Sequence, residues 1–344
     1  LSVSAKKTID LIRSGNPRDL ARAISTVENH APGWIDLLKD VFPYTGNALT
    51  IGLTGAPGAG KSTIVDQLAK HYREAKNPQS TKTAASGSQV AVGPSSSGRS
   101  DNGHMIGIIA VDPTSPYTGG AILGDRIRMQ QHFSDPGIYI RSMATRGSLG
   151  GLARTTADVA LVLDAAGRDL ILIETVGVGQ DEIDIVRLAD VTVVILVPGM
   201  GDDVQTIKAG IMEIADIFVI NKADHPGSER VEKEIRALQS LAARMDEWVP
   251  PVVKTVGTEG QGIKELAGAI ENYKAHMQIH GMLVQRRIHN WEVRLVEMLR
   301  DTMLQRAQAN MSEAELTRLA AEVAEHKRDP FSVVEEIANR SRQG

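Results

Sequence analysis

The segment GAPGAGKS at residues 55–62 concentrates residues suited to one kind of chemistry. It fits the pattern G-x-x-x-x-G-K-[ST] in full. Gly55, Gly58 and Gly60 let backbone N–H groups turn inward around a phosphate, with Ala56, Pro57 and Ala59 between them. Lys61 can reach the β- and γ-phosphate oxygens, and Ser62 can ligate Mg²⁺. Thr63 follows in the first turn of an expected helix, whose N-terminus carries partial positive charge. A glycine-rich turn matching by chance is the competing reading. The apolar run before it and the helical pattern after it argue against that.

A second polar cluster, Asn221-Lys222-Ala223-Asp224, closes another apolar run. Asp224 can accept hydrogen bonds from N1–H and the 2-amino group of guanine. Adenine lacks both donors and would leave the carboxylate unpaired, which is a strong basis for discrimination. Asn221 would hold the neighbouring loop or touch the base, and the stem of Lys222 would stack on its face. Alone the tetrapeptide is weak; its place at a strand end downstream of a phosphate loop gives it force. The segment TVGTEGQG at 255–262, with Val256, Gly257 and Thr258, could add a backbone donor to the base. A plain strand-to-helix loop competes with that reading.

Three further segments fall at strand ends. ETVGVGQ (174–180) offers Glu174 for Mg²⁺, directly or through water, and the Gly177 N–H for the γ-phosphate. The alternative for Glu174 is a helix cap. VDPTSPYTGGAILGDRIRM (111–129) offers Asp112 as a second residue near Mg²⁺, and its prolines and glycines make a loop that can rearrange. Asp125, Arg126 and Arg128 begin a polar helix there. The arginines divide evenly between a solvated face and neutralising phosphate charge. PGMGDDVQTIKAGIMEIAD (198–216) is a glycine-rich loop that leads into another helix, with Asp202, Asp203, Gln205 and Lys208 on its first turns. Acids favour that end of any helix, so the residues alone leave its role open. His276 and His280 are spaced i, i+4, but no third ligand is evident, and surface histidines are the better reading.

Positioning these groups requires a sheet whose strand ends converge. LTIGLT (49–54), MIGIIAVD (105–112), DLILIET (169–175), VTVVILV (191–197) and IFVIN (217–221) are near-continuous aliphatic runs separated by helical patterns. Strands buried on both faces and alternating with helices predict an α/β fold with a mostly parallel sheet flanked by helices, the P-loop NTPase arrangement. VVKTV, near residue 252, adds another strand. Residues 1–48 form an N-terminal helical segment: Asn16 caps a helix with Pro17 in its first turn, and Leu20, Ile24 and Val27 share a face. A short helix is expected over 35–42. Residues 49–274 make the nucleotide domain, and residues 275–344 read as a helical C-terminal arm. In the arm, Ser312 and Glu315 form a capping box, and a last helix follows Pro330. Residues 76–104 are rich in Ser, Gly, Pro and Thr and read as a disordered insertion.

Composition narrows the chemistry. The chain has no cysteine, which removes disulfides, thiolate zinc sites, iron–sulfur clusters and cysteine catalysis. Its net charge of −4 gives no bias toward nucleic acid or an anionic membrane. No apolar run approaches the roughly 20 residues that span a bilayer, and the N-terminus shows no signal-peptide stretch. A cytoplasmic protein with no membrane and no nucleic-acid partner is expected.

Taken in order, GAPGAGKS, VDPTSPYTGGAILGDRIRM, ETVGVGQ and LVPGMGDDVQTIKAGIMEIADIFVINKAD closely resemble the MeaB/ArgK family, called MMAA in animals. The resemblance spans nearly the whole chain. The glutamate of ETVGVGQ is typical of this SIMIBI-class branch of P-loop GTPases. The resemblance implies a GTPase chaperone of an adenosylcobalamin-dependent acyl-CoA mutase, of which methylmalonyl-CoA mutase is the default client. Such proteins gate cofactor loading and help remove damaged cofactor, and the mutase accelerates their hydrolysis of GTP to GDP. It also implies a homodimer built through the C-terminal arm. By motif, Lys61 and Ser62 bind phosphate and Mg²⁺, while Asp112, Asp125 and Glu174 surround the metal and the attacking water. Arg128 lies near them. Asp202, Asp203, Gln205 and Lys208 become a third switch, which moves the open reading of that loop toward function. The long polar insertion departs from the family pattern. A nickel-metalloenzyme maturation GTPase of the same class is the alternative, but such proteins normally carry a His-rich or Cys/His metal site, which this sequence lacks. A non-catalytic nucleotide module is disfavoured by intact Lys61, Ser62 and Glu174.

Overall fold

The computed structural model describes residues 9–14, 16–75, 103–112, 132, 135–144, 151–175, 188–199, 214–241, 248–309 and 311–340. Of the expected insertion, Gly103 and His104 alone fall within them. The chain divides into two compact units, Leu1–Leu283 and Val284–Gly344.

The first unit is built on seven strands: β1 (Leu49–Thr54), β2 (Ile106–Asp112), β3 (Ile138–Ala144), β4 (Leu170–Glu174), β5 (Val191–Leu196), β6 (Ile217–Asn221) and β7 (Val252–Thr255). They form one sheet in the order β3-β2-β4-β1-β5-β6-β7. Every pairing in it is parallel. Its helices are α1 (Pro17–Glu28), α2 (Trp34–Val41), α3 (Lys61–Glu74), α4 (Gly151–Ala165), α5 (Ser228–Leu241) and α6 (Ile263–Ile279). The aliphatic runs are continuous because both faces are covered. Ile108 and Leu172 enter a core with Ile64, Leu68, Leu266 and Ile270 of α3 and α6. Their neighbours Ile109, Ile171 and Ile173 enter a second core with Leu20, Ile24 and Val27 of α1 and Val159 and Val162 of α4. This is the alternation of a strand, with apolar residues wanted on each side. The Asn16 cap forms, its side chain accepting from the Arg18 N–H at 3.0 Å.

The strand β3 is absent from the sequence reading. It lies at the sheet edge, and Tyr139 to Ser142 are only half-buried. The run IYIRSMA therefore mixes polar and apolar residues, without the continuous hydrophobicity that marked the inner strands.

At the N-terminal edge of the sheet, three aspartates stand just before strands. Asp169, Asp190 and Asp216 each accept a backbone N–H from an adjacent segment of the sheet: Met105 at 2.7 Å, Thr50 at 3.0 Å and Thr192 at 2.8 Å. Each also donates its own N–H back to the carbonyl of that same residue. These reciprocal pairs satisfy strand-entry N–H groups that burial would otherwise make costly.

The second unit holds most of α7 (Met282–Ala309), with α8 (Glu313–Ala324) and α9 (Pro330–Arg340). Ser312 caps α8 by accepting from the Glu315 N–H at 3.2 Å. Asp329 accepts from the Ser332 N–H at 2.8 Å at the start of α9. Among the described residues, no helix is long and apolar enough to cross a membrane.

Candidate nucleotide site

The C-terminal ends of β1, β4, β6 and β7 carry the predicted site residues, the edge at which ligands bind in open parallel sheets. After β1 the chain turns through residues 55–60 and enters α3 at Lys61. Two glycines are dictated by their surroundings. Gly55 has φ +142, and a Cβ there would stand 2.1 Å from the Ile195 carbonyl oxygen of β5. Gly60 has φ +89, and a Cβ would stand 2.3 Å from Asn221 Nδ2. At these two positions the loop passes too close to neighbouring strand ends for a side chain to fit.

Lys61 is buried, and its Nζ donates to the carbonyls of Gly55 at 2.8 Å and Ala56 at 3.1 Å. The ammonium thus lies folded over the loop that precedes it. Ser62 Oγ donates to Glu174 Oε1 at 2.6 Å, and both residues are buried. Glu174 reaches it because β4 pairs directly with β1, with Leu53 opposite Glu174. The carboxylate that sequence left between metal and helix cap therefore meets the serine of the phosphate loop. Thr175 secures this strand end: its N–H donates to Leu53 O at 3.1 Å and its hydroxyl to Thr54 Oγ1 at 3.1 Å.

Asn221 joins three segments. Its Nδ2 donates to Ala59 O at 2.8 Å. Its Oδ1 accepts from Thr255 Oγ1 at 3.1 Å and from the Gly257 N–H at 3.0 Å. It is 2% exposed. Its side chain holds the phosphate loop and the segment after β7 together. Lys222, at φ +55, donates through Nζ to Gly58 O at 3.0 Å, so its stem runs beside the phosphate loop. The Ala223 N–H donates to Thr255 O at 3.0 Å, and Asp224 is exposed beyond it, with His225 Nε2 3.7 Å from its carboxylate. Val256 gives its N–H to Gln261 O at 3.1 Å, and Thr258 is exposed on a short 3-10 turn, Gly257–Glu259.

The structure thus brings together residues 55–62, Glu174, Asn221, Lys222 and residues 255–257. The backbone of Asp112 ends β2 opposite Ala144, but its side chain lies outside the described residues. So do Asp125, Arg128, Gly177, Asp202, Asp203, Gln205 and Lys208. Thr255 opens the segment 255–262 that the sequence singled out, but its side chain was given no role. It is a buried threonine at a strand end with no motif spacing, and only its hydrogen bond to Asn221 reveals it.

A parallel sheet with a glycine phosphate loop after its central strand, tied to Asn-Lys-x-Asp at another strand end, defines a P-loop nucleotide hydrolase of the GTPase kind. The chain belongs to the methylmalonyl Co-A mutase-associated GTPase MeaB family, whose model matches residues 20–100 and 81–312. It is a GTPase, as its relatives are named. A Pyrococcus abyssi protein provisionally named a GTPase is 44% identical over 332 residues, 96% of this chain and 94% of that one. GTPase ArgK of Escherichia coli is 35% identical over 288 residues, 81% of this chain and 78% of its own. The mouse methylmalonic aciduria type A homolog, mitochondrial, is 34% identical over 266 residues, 76% of this chain and 58% of its own. Among solved structures, an LAO/AO transport system kinase superposes with a TM-score of 0.67 at 26% identity, covering 99% of both chains.

Proposed function

We propose that this GTPase is Mg²⁺-dependent and serves an adenosylcobalamin-dependent acyl-CoA mutase of the methylmalonyl-CoA type. On this reading it gates cofactor loading and protects or reactivates the mutase. The family's description and the mouse relative's name support a mutase as partner.

The carrying observation for the nucleotide chemistry is the Asn221 junction, which fixes the guanine motif to the phosphate loop through Ala59. In this reading Gly55 to Thr63 wrap the phosphates, and Lys61 swings from the Gly55 and Ala56 carbonyls to phosphate oxygens. Asp224 reads guanine, the Lys222 stem lies against the base, and Val256 to Thr258 border it. Gly177 donates to the γ-phosphate.

Ser62 Oγ and Glu174 Oε1 fit Mg²⁺. They are hard oxygen donors side by side at a helix N-terminus, and Mg²⁺ in such sites takes few protein ligands beside phosphate and water. Asp112 and Asp125 belong to the same set. When bound, the ion would neutralise charge on the phosphate oxygens. Arg128 and Lys208 add positive charge, and Asp202, Asp203 and Gln205 share the loop that signals to the mutase.

We assign residues 275–344 to a homodimerisation arm, supported by the exposed Val284, Ile288, Leu295, Leu299 and Met303 on α7. A cytoplasmic protein without membrane or nucleic-acid partners fits the net charge of −4. The test is GTP turnover with and without a purified cobalamin-dependent acyl-CoA mutase, with Lys61→Ala as control. Stimulation supports the chaperone role. Unchanged turnover with every such mutase would sink it and leave the GTPase.

A further inference from the structure

The end of β4 is hydrogen-bonded on both faces of the sheet. Leu53 of β1 and Leu172 of β4 lie in the core that holds Ile64 and Leu68 of α3. Alternation along a strand then puts Glu174 on that same face and Thr54 on the other. Glu174 Oε1 accordingly accepts from Ser62 Oγ at 2.6 Å. The Thr175 hydroxyl donates to Thr54 Oγ1 at 3.1 Å across the opposite face and lies 3.4 Å from Leu53 O. The register between β1 and β4 runs as far as Leu53 opposite Glu174, whereas Thr54 stays paired with Val194 of β5. Past that point the Thr175 N–H donates to Leu53 O at 3.1 Å. Thr54, Thr175 and Glu174 are 1%, 2% and 4% exposed. A buried hydroxyl costs free energy unless it is hydrogen-bonded, and a valine would fill either place without that cost. The two threonines thus put a directional bond where an apolar contact would serve packing, at the step where β1 turns away toward Gly55.

We infer that Thr175 and Thr54 are positioning residues for GTP hydrolysis, acting through Glu174. A bond on one face alone leaves a strand end free to roll about its own axis. Bonds on both faces resist that roll, so the carboxylate keeps its place against Ser62. A displacement of about 1 Å is enough to cost about 100-fold in rate. Holding the sheet together is already served by main-chain pairing from Leu49 opposite Leu170 to Leu53 opposite Glu174, and by cores on both faces. What the hydroxyl pair adds is confined to the last residues of β4, where Glu174 stands. It also ties the residue before Gly55 to the residue after Glu174, so the start of the phosphate loop and the carboxylate share one anchor. The inference rests on Glu174 acting at the phosphate loop, which Glu174→Gln checks separately.

The test compares Thr175→Val, which keeps the shape without the hydroxyl, with Thr175→Ser, which keeps the hydroxyl. Thr54→Val removes the same bond from the other side. Single-turnover GTP hydrolysis, GDP affinity and Tm are measured for each, with Glu174→Gln beside them. Thr175→Val is expected to lower the hydrolysis rate about 10- to 100-fold, the scale of a slightly misplaced reacting group. GDP affinity should stay within about twofold, and Thr175→Ser should recover most of the rate. Thr54→Val should slow hydrolysis too, and the double valine variant should be no slower than the slower single one, because both changes remove one bond. Equal rates for Thr175→Val and Thr175→Ser would overturn the inference. So would a rate loss matched by an equal loss of GDP affinity, which would make the pair part of the strand's own folding. A slow Glu174→Gln beside a fast Thr175→Val would sink the positioning role alone. Wild-type turnover by Glu174→Gln would remove the role of Glu174, and the inference with it.

Discussion

Replacing Asn221 tests whether the guanine motif and the phosphate loop act as one body. Asn221→Ala removes a side chain that is 2% exposed and holds three groups. The Thr255 hydroxyl can rotate to another acceptor. The Ala59 carbonyl and the Gly257 N–H cannot, because both belong to the main chain. A buried polar group left without a partner costs about 1–3 kcal/mol, so two such groups cost about 2–6 kcal/mol. Water entering the space left by the amide brings the expectation to about 2–4 kcal/mol. Asn221→Asp is the sharper probe. It keeps an acceptor for Thr255 and Gly257 but sets a carboxylate oxygen against Ala59 O, where a donor now stands at 2.8 Å. It should therefore destabilise at least as much as alanine despite its matching shape. Urea unfolding with and without GDP reads the stability, and a fluorescent GDP analogue reads affinity. Both variants should bind GDP at least about tenfold more weakly, which is about 1.4 kcal/mol. An Asn221→Asp protein that binds GDP within about twofold of wild type would refute the reasoning, because the amide would then not be coupling the two loops.

Asp224→Ala should cut the preference for GTP over ATP by a factor of about 10³ or more, since a site built to hydrogen-bond a group strongly rejects its absence. Competition binding with both nucleotides measures it, and equal binding by the wild type would remove the premise. Gly55→Ala should abolish GDP binding while the chain keeps its far-UV circular dichroism. The added Cβ would meet Ile195 O at 2.1 Å, and the clash deforms the loop rather than the sheet. Normal binding by that variant would be the contrary result. At Asp135, burial works to raise the carboxyl pKa, but the Arg73 guanidinium and the Gly137 N–H outweigh it and hold it below the ordinary value. A depressed carboxylate contributes stability above its unfolded pKa, about 4, that is lost as pH falls through the folded value. Asp135→Asn should therefore flatten the fall in Tm below about pH 4, and an unaltered acid limb would count against the pair.

Local patterns carried much of this architecture. Continuous aliphatic runs marked the inner strands because both their faces are covered, and Asn16 and Ser312 marked helix starts because a cap acts within one turn. The phosphate loop was readable because its glycines, lysine and serine work within eight consecutive positions, 55–62. What pattern did not carry is contact between distant segments. Ser62 and Glu174 are 112 residues apart and meet because β4 lies beside β1, an order no local period encodes. Thr255 likewise gains its place only when β7 pairs with β6. Strand β3 escaped because an edge strand need not be apolar on both faces.

The acids of the first unit separate by what they bond, and the separation bears on function. Asp169, Asp190 and Asp216 each accept a backbone N–H at the entry edge of the sheet. Asp164 accepts three, from Gly46, Asn47 and Ala48, and so fixes α4 to the approach to β1. Each of these acids completes a main-chain hydrogen-bond pattern, and Asp164 uses both of its oxygens to do so. Glu174 stands at the opposite edge, and the group it takes is the Ser62 side chain. Asp66 faces the His132 ring. A carboxylate committed to a main-chain donor is fixed by the fold and has little freedom to exchange partners. One that meets a hydroxyl or an imidazole can do so, because those groups rotate or change protonation. Glu174 and Asp66, both buried, lie on or against α3, the helix that starts from the phosphate loop. That is where a nucleotide hydrolase needs groups that can change partners between its bound states.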